Sequence, residues 1–149
     1  MAGANANKIV QKGWGSKAEY TCAAQLSVGL VVEHASTADK IQVSSVATTI
    51  YRGGPMVVTE APERGKGIYS SGTTENTYAI GEQVPTYAMQ SGDEVLVLLL
   101  SGQSITRGGE LEVDSAGKVK AAAGTNLPAF TALETLAPSQ DALILAQRL

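Results

Sequence analysis

The sequence predicts an all-β fold: a small antiparallel barrel, a β-tulip or a jelly-roll-like domain, with an extended N-terminal arm. The first observation behind this prediction is a series of short strand-like runs separated by glycine, aspartate and serine turns, between Ser91 and Lys120. Such runs are typical of antiparallel β structure. The second is the β-branched run Ile41–Tyr51, which is typical of a strand. We expect residues 1–15 to form the arm and residues 16–149 a single β domain.

The central segment alternates strands and turns over a short distance. The apolar run Val95–Leu100 has the composition of a buried strand and ends at Ser101-Gly102. Residues 111–113 then alternate, and the turn at residues 114–117 leads into residues 118–120. These features predict consecutive short strands.

The arm contains the single tryptophan of the chain, Trp14, which lies between Gly13 and Gly15. The preceding residues show no helical period, and Lys8–Gln11 is long enough for one short strand. Two interpretations of Trp14 are open. The simpler is that the side chain folds back onto the core of its own chain. The other is that Trp14 docks onto a partner, because tryptophan buries a large area with few rotatable bonds.

The rest of the chain is divided by turns. We favour strands over a helix in Tyr20–Glu33, and we expect Met56–Thr59 to return beside the strand Ile41–Tyr51. Ala61–Thr77 has the composition of a long exposed loop. Further strands are predicted in residues 78–80 and 84–90, and no internal repeat is evident.

The end of the chain predicts a closing pair of strands. These are Ala129–Thr135 and Ala142–Leu149. A short helix over Asp141–Leu149 is the alternative, because Leu145 and Leu149 also fit a helical spacing. We favour the strand.

Composition and charge narrow the class of protein. Charged residues make up 17% of the chain, below the roughly 25% typical of soluble domains, which suggests a surface suited to protein contact. The net charge is −3, and the 11 basic residues form no cluster, so we expect no nucleic-acid partner. Cys22 is the single cysteine, which excludes an intrachain disulfide and suggests a small buried residue. The first eight residues lack the apolar stretch that a signal peptide requires, and the longest aliphatic run is too short for a membrane span. We therefore expect assembly in a cytoplasm and no membrane partner.

Candidate catalytic and metal-binding groups are few. The single histidine, His34, lies near Asp39, but no G-x-S-x-G motif accompanies it, and we expect it to be a turn residue. Glu110 and Glu112 share a strand face, which we interpret as the solvated one rather than a catalytic pair. Residues 60–67 lack the spacing of a phosphate-binding loop. We therefore predict no catalytic residue, no cofactor and no metal, and we do not expect an enzyme.

A biotinyl or lipoyl carrier domain is a further alternative. The rhythm of turns in residues 91–113 is compatible with that architecture. Lys118 and Lys120, however, do not lie in the local motif that a modifiable lysine requires.

Two stretches of the chain resemble the small head decoration (cement) proteins of tailed bacteriophages. The resemblance rests on a Gly-Asp turn leading into an apolar strand, the strand that follows, a D-x-x-G-K-V turn and an apolar closing strand. These features lie in Gly92–Val95, Gly109–Asp114, Asp114–Val119 and Pro128–Leu149. The resemblance extends over roughly the C-terminal two fifths of the chain.

The resemblance implies a structural role without catalysis. It implies copies bound to the outer surface of an icosahedral capsid, as trimers, where they would bridge neighbouring major capsid subunits. The residues expected to contact the partner are, in the arm, Asn5, Asn7, Ile9, Val10 and Trp14, and, in the long loop, Arg64, Lys66 and Tyr69.

The alternative function is another virion or surface β module, from a tail, from a fibre or for carbohydrate binding. Sugar recognition stacks aromatic rings on sugar rings, and aromatic residues make up only 5% of this chain. The candidates for stacking are Tyr51, Tyr69, Tyr78 and Tyr87.

Overall fold

The computed structural model describes residues 8–37, 39–43, 55–67, 76–124 and 127–149. The all-β prediction is confirmed, since the described residues form strands, with a short 3-10 turn at Pro62–Arg64. The strands are β1 Val10–Lys12, β2 Ser16–Cys22, β3 Leu26–Ser27, β4 Val31–His34, β5 Lys40–Val43, β6 Met56–Val58, β7 Thr77–Tyr78, β8 Gln83–Ala88, β9 Glu94–Leu99, β10 Glu110–Val113, β11 Val119–Ala121, β12 Pro128–Ala132 and β13 Ala142–Arg148.

The first half of the chain builds a closed five-stranded barrel, which we call the first barrel. Its strand order is β2-β5-β4-β6-β8, and β8 pairs with β2 to close the ring. The pairing of β2 with β5 is parallel and spans only Thr21 and Cys22 of β2. The other neighbours are antiparallel. The ring is therefore closed, although the β2–β5 pairing covers only the end of β2.

The second half builds a second five-stranded ring, the second barrel. Its order is β9-β11-β10-β12-β13, and the pairing of β13 with β9 closes it. The pairing of β9 with β11 is again parallel and short, at Leu99 and Val119. The arm strand β1 adds to the free side of β9, so the second barrel carries one strand more than the first.

The two barrels have the same strand order and the same register. When β2, β4, β5, β6 and β8 are matched to β9, β10, β11, β12 and β13, the residue pairs coincide. Matched pairs include Cys22↔Ile41 with Leu99↔Val119, Val32↔Met56 with Leu111↔Phe130, Val57↔Tyr87 with Thr131↔Gln147, and Tyr20↔Val84 with Val97↔Ile144. The fold therefore repeats, although no repeat was expected from the sequence, because the matched positions carry different side chains.

The main difference in length between the barrels is an insertion. Between β6 and β8 the first barrel carries the 3-10 turn and β7, which pairs with β3 in a separate two-stranded sheet. Tyr78 of β7 is fully buried, and its hydroxyl donates a hydrogen bond of 2.9 Å to the carbonyl of Thr59. The insertion is thus packed against the first barrel.

The barrels touch through main-chain hydrogen bonds. The Leu98 amide donates to the Gly29 carbonyl at 3.0 Å, and the Val31 amide donates to the Gly117 carbonyl at 2.9 Å. Gly117 has a φ of 79°, and a Cβ there would lie 2.7 Å from the Val31 carbonyl oxygen. A side chain at this position would separate the barrels.

The structure confirms some of the predicted strand pairings and contradicts another. The closing pair is confirmed, because β12 and β13 are antiparallel neighbours, and Asp141–Leu149 contains a strand rather than a helix. The expected return of Met56–Thr59 beside the strand at Ile41 is wrong. The strand β6, which this segment contains, pairs with β4 and β8, because β4 lies between β5 and β6 in the barrel. Residues 44–51 of the predicted long strand lie outside the described residues.

The prediction of a solvated face at Glu110 and Glu112 is wrong for one of the two. Glu110 is exposed, but Glu112 is fully buried, and its carboxylate lies 3.5 Å from the Lys120 ammonium. Glu33 occupies the matching position of the first barrel and is 1% exposed. It accepts a hydrogen bond of 3.1 Å from the side-chain amide of Gln42. Each barrel thus buries one carboxylate against the neighbouring strand.

Candidate interaction surface

The loop Gly13–Gly15, which links β1 to β2, is held by one buried carboxylate. Asp93 is 1% exposed and accepts a hydrogen bond of 3.0 Å from the Trp14 amide. It also accepts one of 2.6 Å from the Tyr87 hydroxyl. That hydroxyl oxygen in turn accepts a hydrogen bond of 2.6 Å from the Gly15 amide. Because β8 supplies Tyr87 and Asp93 directly precedes β9, this network ties the two barrels together at the loop.

The glycines that flank Trp14 are required by close packing. A Cβ at Gly13 would lie 2.1 Å from the Tyr87 hydroxyl oxygen, and one at Gly15 would lie 1.9 Å from the Ala88 carbonyl oxygen. Both distances are far inside van der Waals contact. The loop can therefore lie against the Tyr87–Asp93 pair only if both residues lack a side chain.

The indole of Trp14 points into solvent from this fixed backbone and is 87% exposed. The interpretation that Trp14 folds back onto the core of its own chain is therefore wrong, because hydrogen bonds and glycine packing hold the main chain with the indole facing outward. An exposed tryptophan on an anchored backbone loses little conformational freedom when it is buried by a partner. This combination is typical of the anchoring residues of protein interfaces.

The protonation states of Asp93 and Tyr87 near neutral pH are the ones that this hydrogen-bond network requires. Burial raises the pKa of Asp93, but hydrogen bonds from Tyr87, Gln90, Trp14 and Gly15 outweigh burial, and the pKa is lowered from its ordinary value. Burial and the hydrogen bond to Asp93 raise the pKa of Tyr87. The carboxylate is therefore charged and the hydroxyl protonated, as the donor and acceptor roles require.

Two more exposed apolar side chains belong to the same end of the molecule. The Arg148 amide donates to the Asp93 carbonyl, and the Leu149 amide donates to the Ala129 carbonyl. Leu149 and Leu127 are each 46% exposed. Together with Trp14 they account for three of the four large apolar side chains exposed among the described residues, the fourth being Ile80. We call Trp14, Leu127 and Leu149 the apolar end.

The other predicted contact residues of the arm divide into two groups. Ile9 is fully buried and Val10 half-buried, because β1 packs against the second barrel. In this structure Ile9 therefore offers no surface to a partner. Asn5, Asn7 and Tyr69 lie outside the described residues, as does Tyr51.

The basic residues predicted in the long loop lie in the insertion and contact their own chain. Arg64 forms an ion pair of 2.8 Å with Glu19 and lies 5.8 Å from the centroid of the Tyr78 ring. Lys66 lies 4.0 Å from Glu82 and 5.7 Å from the same ring. They form a cluster around Tyr78, at the opposite end of β2 from the Trp14 loop.

The remaining polar residues considered for chemistry have structural contacts. His34 ends β4 and meets Tyr20 edge to face, with 5.0 Å between ring centroids. Cys22 is 1% exposed, as expected, and burial together with the charge of Glu82 raises its pKa to about 11. Lys118 pairs with Asp141 at 2.6 Å. Within the described ranges, no three potential ligands cluster as a metal site.

One open cleft of about 400 Å³ lies beside β2 and β8 of the first barrel. It is lined by charged residues and prolines: Lys17, Ala18, Glu19, Thr59, Glu60, Pro62, Glu63 and Pro85. Small-molecule sites are usually enclosed and mainly apolar, so this cleft lacks their character. Among the described residues, no helix is long and apolar enough to span a membrane.

Comparison with known proteins supports the fold. No family model matches the chain, and no curated protein matches it in sequence. Among solved structures, it is similar to the N base of the head fibre protein gp8.5 of bacteriophage phi29. The TM-score is 0.59 at 9% sequence identity, and the alignment covers 91% of this chain and 95% of the other. The likeness therefore extends over nearly the whole of both chains and concerns the fold.

Proposed function

We propose that this protein is a structural component of a phage virion, without enzymatic activity, and that it binds the outer surface of the capsid. The observation that carries the proposal is the likeness in fold to a phage head-fibre base along nearly the whole chain. The resemblance of Gly92–Leu149 to head decoration proteins, found from sequence, points to the same class of particle.

The apolar end supplies the contact in this proposal. Trp14 would enter a pocket on the major capsid protein, while Leu127 and Leu149 cover the surrounding surface. Because the Asp93 network fixes the backbone of Trp14, little ordering is needed on binding.

The capsid would be stabilised by bridging. A copy that contacts two neighbouring capsid subunits makes its second contact intramolecularly, which multiplies modest affinities. A trimer on the capsid would repeat this contact around a local threefold axis. Neither a nucleic acid nor a cofactor is part of the proposal.

A second candidate is that the chain is the attachment base of a head fibre. The same observation favours it, because the neighbour is itself a fibre base. The two candidates differ in copy number. A cement protein should occur in proportion to the capsid lattice, whereas a fibre base should occupy a subset of sites, and mass spectrometry of purified virions distinguishes them.

The contact itself is tested with Trp14→Ala. We expect the variant to bind expanded capsids at least about fivefold more weakly, because a central tryptophan typically contributes more than about 1 kcal/mol to an interface. The unfolding free energy should not change, since the indole is exposed. Binding is measured by co-sedimentation with capsids.

Ile80→Ala is the matched control, because Ile80 is the other strongly exposed apolar residue and is 73% exposed. It lies in the turn after β7, away from the Trp14 loop. If Ile80→Ala lowers binding as much as Trp14→Ala, or if neither change affects it, the apolar end is not the capsid contact.

A further inference from the structure

The first barrel has an open seam where the second barrel is sealed. On the side of β2 that faces β5, pairing among the described residues is limited to Thr21 and Cys22. The N-terminal half of β2, Ser16–Tyr20, pairs with β8 on its other side only. We call the unpaired side of Lys17–Tyr20 the open seam.

In the second barrel, β1 fills the matching seam. The counterpart of Glu19 is Leu96, as the shared register of β2–β8 and β9–β13 shows. The Leu96 amide donates a hydrogen bond of 2.8 Å to the Ile9 carbonyl. Val10 and Lys12 pair with Val95 and Glu94, and Ile9 is fully buried.

The main-chain amides of the open seam have the same orientation as the matching amides of β9. Pro85 turns its carbonyl toward β6, where it accepts from the Thr59 amide, so the opposed Glu19 directs its amide away from β8. The same alternation directs the Thr21 amide to the seam side, where it reaches the Asp39 carbonyl. The amides of Lys17 and Glu19 therefore face the open seam, as the Leu96 amide faces β1.

The interior of the first barrel is exposed along this seam. Ala18 is exposed and Tyr20 and His34 are half-buried, while their counterparts Val95, Val97 and Val113 are fully buried. These counterparts follow from the shared register of the strand pairs in the two barrels. This exposure lies at the place where, among the described residues, the first barrel has no counterpart of β1.

The charge at the seam differs from that in the sealed barrel. In the second barrel, Lys12 of β1 lies 4.0 Å from Glu94. The counterpart of Glu94 is Lys17, which is exposed and forms none of the ion pairs among the described residues. A strand seated in the open seam would therefore meet a positive charge where β1 meets a negative one.

We propose that the open seam accepts a β-strand from a partner protein, with an apolar residue above Ala18 and Tyr20 and an acidic residue opposite Lys17. The main chain of that strand accepts a hydrogen bond from the Glu19 amide, as Ile9 does from Leu96. The seam is thus a strand-acceptor site, separate from the apolar end. The inference stands on the comparison of the barrels and does not require the virion role.

The probe is a synthetic peptide that copies residues 8–13 with glutamate in place of Lys12. It is added to the full chain labelled with ¹⁵N, and amide shifts are followed by NMR. We expect saturable shifts at millimolar peptide, confined to Lys17–Tyr20 and His34. The unmodified peptide, with its lysine, should bind about three- to fivefold more weakly, because it places a like charge opposite Lys17.

Two variants test the recognition. Glu19→Pro removes the amide that faces the seam and leaves the bonds to β8, so we expect it to abolish the shifts, while Glu19→Ala keeps them. Lys17→Glu involves no change of main chain and should reverse the preference between the two peptides.

Three results would overturn the proposal. One is the absence of shifts at the seam, which would also result if the seam were filled by part of this chain. Another is equal shifts with wild type and Glu19→Pro. The third is a set of seam shifts that depend on protein concentration without peptide, which would identify a second copy as the occupant.

Discussion

The two barrels share strand order and register, but the described residues bury the interior more completely in the second barrel than in the first. In the second barrel, every interior residue of β9 is fully buried, since β1 covers the side of β9 that β11 does not reach. In the first barrel, the matching strand β2 is exposed over Ser16–Glu19. The parallel pairings, β2 with β5 and β9 with β11, are therefore too short to cover the whole strand, and in the second barrel β1 covers the rest of β9.

The strand β1 has a structural role in the second barrel. The arm was predicted to contact a partner, and the structure places its strand in the second barrel instead. The Trp14 loop then carries the chain from that strand into the first barrel. The arm thus seals one barrel and presents the indole at the junction of both.

The largest expected effect on stability comes from removing the buried residue of β1. Ile9→Ala should lower the free energy of unfolding by about 2–5 kcal/mol, because it leaves a cavity at the sealed seam. The half-buried neighbour provides the control, and Val10→Ala should cost clearly less. Urea denaturation measures both. Equal and small losses would mean that β1 does not seal the second barrel.

The buried carboxylates give a smaller contrast between the barrels. Lys120→Met should cost about 1–3 kcal/mol, because it removes the cation beside the fully buried Glu112. Gln42→Met removes a neutral donor from Glu33 at the matching position and should cost about 1 kcal/mol. The same denaturation experiment applies. The reverse ranking would show that Lys120 stabilises Glu112 less than Gln42 stabilises Glu33.

The smallest expected effect concerns pH. Because the pKa of Asp93 is lowered in the folded protein, its contribution to stability is fully present above the ordinary aspartate pKa, near 3.8. It is lost as the pH falls through the lowered value. The difference in unfolding free energy between wild type and Asp93→Asn should therefore shrink as the pH is lowered below about 4. A difference that is constant from pH 7 to pH 3 would show that the carboxylate charge does not hold the loop.

Part of this architecture could be predicted from the sequence. Alternation and glycine turns predict the strands of the second half correctly, since these signals are local. The repeat of the barrel is invisible in the side chains, because it exists in the pairing of residues far apart in the chain. Glu33 and Glu112 are a matched identical pair, and a single such pair gives no sequence signal.

Part of the candidate surface could be predicted from the sequence. The glycines around Trp14 indicate an unusual loop, but the direction of the indole depends on Asp93 and Tyr87, which lie more than 70 residues away. From the sequence, Asp93 is only the aspartate of a Gly-Asp turn that leads into an apolar strand. Its role as an acceptor for the loop follows from contacts that no local pattern contains.

The most direct test of the central comparison is amide hydrogen exchange at Glu19 and Leu96 in the free protein. These residues occupy matching positions, and only Leu96 donates to a seated strand, at Ile9. We expect the Leu96 amide to exchange at least about a hundredfold more slowly than the Glu19 amide. Equal protection of the two amides would show that the first barrel is sealed as well, and would contradict the account.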